Sequence, residues 1–212
     1  MRVRDYRNDK ILVDPLNSAF SSVDGVLFKN QTTLVEYPLG RPGPSYMIPN
    51  SVTSIEDYAF FNCTTLTDVT IPLGVTSIGT NAFAACLSLT SLYFQGNAPS
   101  LGGTTVFQND NATIYYLPGT TGWGPTFGGI PTALWSLPYP LILNSSLGVR
   151  SNQFGFIVFW ATGLSVVVEA SSDLKNLNWS PVTTNSLSGG TFYFSDPQWK
   201  NYPSRFYRAR SQ

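Results

Sequence analysis

Ile48-Pro49-Asn50-Ser51-Val52-Thr53-Ser54-Ile55 returns as Ile71-Pro72-Leu73-Gly74-Val75-Thr76-Ser77-Ile78, 23 residues on in a chain of 212. At the same offset Ala59-Phe60 returns as Ala82-Phe83, Cys63 as Cys86, Leu66-Thr67 as Leu89-Thr90 and Val69 as Leu92. A block rewritten at a fixed period in the twenties marks a solenoid, because one unit cannot bury its apolar face alone and must stack on the next. Carrying the frame forward puts Leu101 after Ile78, Asn109 after Cys86 and Thr113 after Thr90, and a second step carries Ile71-Pro72 to Leu117-Pro118. This third copy keeps the period while losing the consensus, as a terminal coil facing solvent does.

Upstream, Ile11-Leu12-Val13 predicts a short strand stopped by Asp14-Pro15. Gly25-Val26-Leu27-Phe28 and Thr33-Leu34-Val35-Glu36-Tyr37 predict a hairpin, about residues 23–37, inserted into the first coil. The proline-rich 38–44 is a returning loop. Downstream, residues 118–130 hold Trp123, Phe127 and five glycines, which predicts a cap laying aromatic rings over the end of the stack. The frame is then lost, so the solenoid is assigned to 1–133 and a linker to 134–146. Short alternating runs at 155–160, 165–170, 191–194 and 205–210 predict a small antiparallel β-sandwich, Ig/fibronectin-like, over 147–212.

The composition is that of a mainly β chain: 11% charged, 14% aromatic, 18 Gly and 15 Pro. Twelve basic residues balance twelve acidic ones without forming a basic stripe, which argues against nucleic acid as a partner. No apolar run approaches the roughly 20 residues of a membrane-spanning helix. Met1-Arg2-Val3-Arg4-Asp5 has no apolar core of a secretory signal. There is no histidine, which removes Ser-His-Asp and Cys-His catalysis and imidazole metal sites. No pair of carboxylates is marked for glycoside hydrolysis. The expectation is a protein that is not an enzyme and takes no cofactor or metal.

One repeat apart, Cys63 and Cys86 share an angular position in adjacent coils. With neighbouring strands about 4.8 Å apart, either a disulfide or a stacked pair of buried thiols fits there. Asn109-Asp110-Asn111 gathers oxygen atoms suited to calcium, but Asx residues are also ordinary turn formers. Asn144-Ser145-Ser146 and Asn178-Trp179-Ser180 match glycan acceptor sequons. Trp179 is read as a core plug of the sandwich. Trp123 and Trp135 are candidates for stacking on sugar rings.

The paired segments Ile48-Pro49 through Cys63-Thr64-Thr65-Leu66 and Ile71-Pro72 through Cys86-Leu87-Ser88-Leu89 resemble the BspA-type leucine-rich repeats of bacterial surface proteins. Glu169-Ala170-Ser171-Ser172-Asp173-Leu174, Trp179, Phe194-Ser195-Asp196 and Phe206-Tyr207-Arg208 resemble the C-terminal β-sandwich modules of secreted proteins from Verrucomicrobia-like bacteria. The first resemblance implies that Leu66 to Ile71 forms a strand of a parallel ladder, with Leu66, Val69 and Ile71 inward and Asp68 and Thr70 outward. In the next coils the outward columns become Ser91 and Tyr93, then Ile114 and Tyr116, and going backward Met47 and Leu12. Met47, Asp68, Thr70, Ser91, Tyr93 and Tyr116 are thus the candidate binding residues, although outward Tyr and Thr also suit any strand. The resemblance implies an extracellular or cell-surface adhesion module recognising protein or glycan. The alternative is a structural subunit that assembles with other copies of itself through solenoid ends and sandwich edges.

Overall fold

The computed structural model describes residues 2–4 (backbone only), 8–143, 146–175 and 178–212. The described residues divide into two compact units, one running to Tyr116 and including Thr120–Leu134, the other formed by Leu117–Gly119 and Trp135–Gln212.

In the first unit the successive coils build two parallel ladders. The front ladder is built from Ser45–Met47, Asp68–Ile71, Ser91–Phe94, Thr113–Tyr116 and Ile130–Leu134. Thr126–Phe127 then folds back antiparallel on Ile130–Leu134. The side ladder stacks Thr33–Glu36, Ser54–Ile55, Ser77–Ile78 and Ser100–Leu101. Val69 faces Tyr46 and Leu92, and Ile78 faces Ile55 and Leu101, each 23 residues away. Equivalent letters of the text are therefore spatial neighbours, and the mainly β solenoid of 23-residue period is the observed fold.

Between the ladders lies a column of rings. Phe60 stacks on Phe83 at 4.8 Å and 7°, Phe83 on Phe107 at 5.7 Å and 18°, and Tyr37 covers Phe60 at 5.2 Å. Val52 with Val75 and Leu66 with Leu89 are buried alongside, each a pair one period apart. The turns also bond coil to coil: Phe60 N–H donates to Ala82 O at 2.7 Å and Phe83 N–H to Val106 O at 3.0 Å.

Three expectations are corrected here. Val26–Lys29 and Thr33–Glu36 do pair as a hairpin, but they continue the side ladder, which ends in Phe20–Val23. Nothing is inserted; the hairpin is part of the sheet, and Phe20–Val23 is its edge. Leu12 joins no outward column, because Ile11–Val13 pairs antiparallel with Arg2–Arg4. Finally, the third coil breaks the period. Phe107 and Asp110 stand 24 residues after their counterparts Phe83 and Cys86, while the strand Thr113–Tyr116 pairs with Ser91–Phe94 at an offset of 22.

The second unit holds two antiparallel sheets. One orders Leu141–Ile142, Gln153–Phe159 and Gly148–Arg150, with Thr191–Asp196 also on Gln153–Phe159. The other orders Ser180–Ser186, Ser165–Ser171 and Phe206–Ser211. Both sheets supply one core of Phe156, Val158, Val166, Val168 and Phe194 with Trp160 and Leu187. The stretch read as a linker contributes Leu141–Ile142, and its Leu137 carbonyl accepts the Trp160 indole N–H at 3.1 Å. Trp160, not Trp179, is the core tryptophan. Trp179 is half-buried beneath Arg208, whose Cζ lies 4.5 Å from its ring centre.

Candidate functional site

Side chains alternate along a strand, so the front ladder presents two outward columns. One runs Ser45, Asp68, Ser91, Thr113, and the other Met47, Thr70, Tyr93, Tyr115, Ala133. Five of the six candidates read from the sequence are brought together on this face. Tyr116 is not among them. The slip to 22 residues turns Ile114 and Tyr116 inward: Ile114 is fully buried, and Tyr116 stacks on Trp123 at 5.2 Å and 8°. Tyr115 takes the outward place, its ring 5.3 Å from that of Tyr93 and 21° from parallel.

The face is amphipathic. Met47 is 69% exposed, while Thr70, Tyr93 and Tyr115 are half-buried. Asp68 is held in place by two hydroxyls, accepting from Ser45 Oγ at 2.8 Å and Thr67 Oγ1 at 2.9 Å. Stacked phenols offer flat area at low conformational cost, and the adjoining row of Ser, Asp and Thr offers hydrogen bonds. Behind the side ladder, the hydroxyls of Ser54, Ser77 and Ser100 line a shallow trough of about 410 Å³ with Glu56 and Asp57.

The remaining candidates fall elsewhere. Trp123 is no sugar platform: it packs against Phe94, Tyr116 and Phe127 and donates its indole N–H to Thr120 Oγ1 at 3.0 Å. Cys63 and Cys86 are free and fully buried, with Cys86 Sγ donating to Phe60 O at 3.0 Å. The hydrogen bond shared with Cys86, and then burial, push the Cys63 thiol far above its ordinary range, so it supplies no nucleophilic thiolate. In the turn at 109–111, Asp110 Oδ1 accepts the Cys86 N–H at 2.8 Å. Among the described residues, no group of three or more Cys, Asp or Glu is placed to hold a metal ion. Asn178 is exposed, and the sequon at Asn144 lies outside the described residues. In the second unit, bonds from Arg210 and then Arg208 hold the Glu169 carboxyl below its usual pKa.

Residues 44–121 match the family model of the BspA type leucine rich repeat region, in six copies. No curated protein matches the chain. Among solved structures, the pneumococcal vaccine antigen PcpA is similar at 22% identity and TM-score 0.45, over 51% of this chain and 33% of that one. A leucine-rich repeat protein from Eubacterium ventriosum ATCC 27560 is similar at 25% identity and TM-score 0.37, over 51% of this chain and 36% of that one. A leucine rich cell surface protein from Faecalibacterium prausnitzii A2-165 has the same identity and TM-score, over 49% and 35%. The chain thus spans about a third of the length of PcpA. With its coils pairing at 23 residues and its family model matched, the segment 44–121 is a BspA-type leucine-rich repeat region.

Proposed function

We propose that this protein is a non-catalytic binding or adhesion module, working outside the cell or at its surface, that recognises a protein or glycan through the outward face of the front ladder. The observation that carries the reading is the Tyr93–Tyr115 stack, in one column with Thr70 and exposed Met47 and alongside the hydroxyl and carboxylate row. Rings of this kind pack against sugar faces and apolar side chains alike, and the flanking oxygens fix orientation. Retention of the Tyr93→Ala/Tyr115→Ala double variant on glycan and protein arrays tests it. Binding is expected to fall at least tenfold while circular dichroism stays unchanged. Undiminished binding by a folded variant would remove this face from consideration.

One feature favours the second reading, assembly with other copies. Among the described residues Ser180–Ser186 is an edge strand, paired only with Ser165–Ser171; it is exposed over most of its length and has no charged residue, with Pro181 as its one blunting residue. Edges of that kind are open to strand addition. Sedimentation over a concentration series decides it: growth of the sedimentation coefficient supports assembly, and a constant monomer value rejects it.

A further inference from the structure

The inward side of a sandwich strand is where apolar residues belong, and in Ser180–Ser186 it is polar. Thr183 pairs with Val168 and Asn185 with Val166, so both take the same side of their sheet as two valines fully buried in the core of the second unit. On the other sheet Phe192 pairs with Val158 and Phe194 with Phe156, again on the core side. The apolar pattern that builds the sandwich therefore fails on one strand. A local failure of that kind points to function.

At this place the second unit has a cleft of about 520 Å³, lined by Thr183 and Asn185 from one sheet, Phe192 and Phe194 from the other, and Asp196, Gln198 and Arg205. Its volume falls within the roughly 300–1,000 Å³ of small-molecule sites. Asp196 and Arg205 are the only charged residues in the lining, and they are spent on the protein itself. Asp196 Oδ1 accepts the Gln198 N–H at 2.8 Å, and its Oδ2 accepts the Tyr207 hydroxyl at 2.8 Å and lies 2.6 Å from Arg205 Nε. The Arg205 guanidinium in turn lies over the Tyr202 ring at 3.9 Å. With the two charges cancelled, the cleft favours neither an anion nor a cation. The groups left for a ligand are the side chains of Thr183, Asn185 and Gln198, which make no hydrogen bond among the described residues. Each is neutral and both donates and accepts, as a sugar hydroxyl does. A phenyl wall across from such groups suits a pyranose, which has an apolar C–H face and a hydroxylated rim.

We propose that this cleft binds a neutral sugar unit, its apolar face on Phe192 and its hydroxyls on Thr183, Asn185 and Gln198. The site lies wholly within the second unit and is independent of the reading given to the front ladder. The test is an NMR titration of the whole protein with cellobiose, maltose and N,N′-diacetylchitobiose, beside the deacetylated, cationic form of the last and an end-blocked threonine–valine pentapeptide. Amide shifts around residues 182–185 and 192–198 are expected with at least one neutral disaccharide, unchanged by added salt and weaker with the cationic one. Thr183→Val/Asn185→Leu is expected to weaken binding at least tenfold without lowering Tm, since it completes the apolar pattern of the sandwich. Gln198→Ala, at an exposed side chain, is expected to weaken binding at least threefold, and Tyr93→Ala/Tyr115→Ala to leave the titration unchanged. No response to any neutral disaccharide, an equal or stronger response to the cationic one, a response to the peptide alone, or full binding by both cleft variants would each overturn the proposal.

Discussion

Asp110 stands where the two coils before it carry cysteine. Its Oδ1 accepts the Cys86 N–H, but its Oδ2 is buried with no partner among the described residues, and burial pushes the carboxyl up to about 7 against the bond from Cys86. An acid whose folded pKa exceeds its unfolded value binds more protons folded than unfolded, so its ionisation opposes folding. The effect is absent below about pH 4, grows as pH rises, and is complete above about pH 7. Asp110→Asn keeps an oxygen for Cys86 N–H and removes the charge. Urea unfolding should show it more stable than the parent at pH 8, by about 1–2 kcal/mol after allowance for partial solvent screening, and level with it near pH 4. The sequence named this stretch a turn but placed Asn109, not Asp110, in the cysteine column. A counting frame carries no knowledge of which loop absorbs an extra residue.

At the scale of the element, the column of Phe60, Phe83 and Phe107 is the spine of the stack. Phe83 lies between two rings and is fully buried, so Phe83→Ala should cost about 3–5 kcal/mol in chemical denaturation. Gly79 is fixed for another reason: a Cβ there would lie 2.4 Å from both Asp57 N and Asp57 Oδ1. Gly79→Ala should cost about 1–3 kcal/mol by forcing two coils apart. The front ladder was legible through Val69 and Leu92, whose alternation with polar neighbours fixes which side is inward. Thr113-Ile114-Tyr115-Tyr116 was not. Adjacent tyrosines serve either face, because each has an apolar body and a polar tip, and a one-residue slip then reverses every assignment. The strand Ser180–Ser186 escaped for a related reason, since as a polar edge it carries little of the hydrophobic pattern by which strands are recognised.

At the scale of the whole molecule, the two units have separate cores, one around the phenylalanine column and one around Phe156, Val166 and Phe194. Phe156→Ala should speed amide exchange in Gln153–Phe159 and Ser165–Ser171 and leave Ser91–Phe94 protected, with Phe83→Ala doing the converse; hydrogen exchange by mass spectrometry reads both. Within the repeat unit the ladders stop by reversal of chain direction. Val26–Lys29 turns back against Phe20–Val23 at the start of one, and Ile130–Leu134 meets Thr126–Phe127 at the finish of the other. A coil in the interior touches neither reversal. Length in this molecule is therefore quantised: a duplicate of residues 71–93 spliced after residue 93 would slide in as a further storey, adding about 4.8 Å and one more ring to the spine. Gene duplication could thus tune the reach of the protein without redesigning either terminus of the stack.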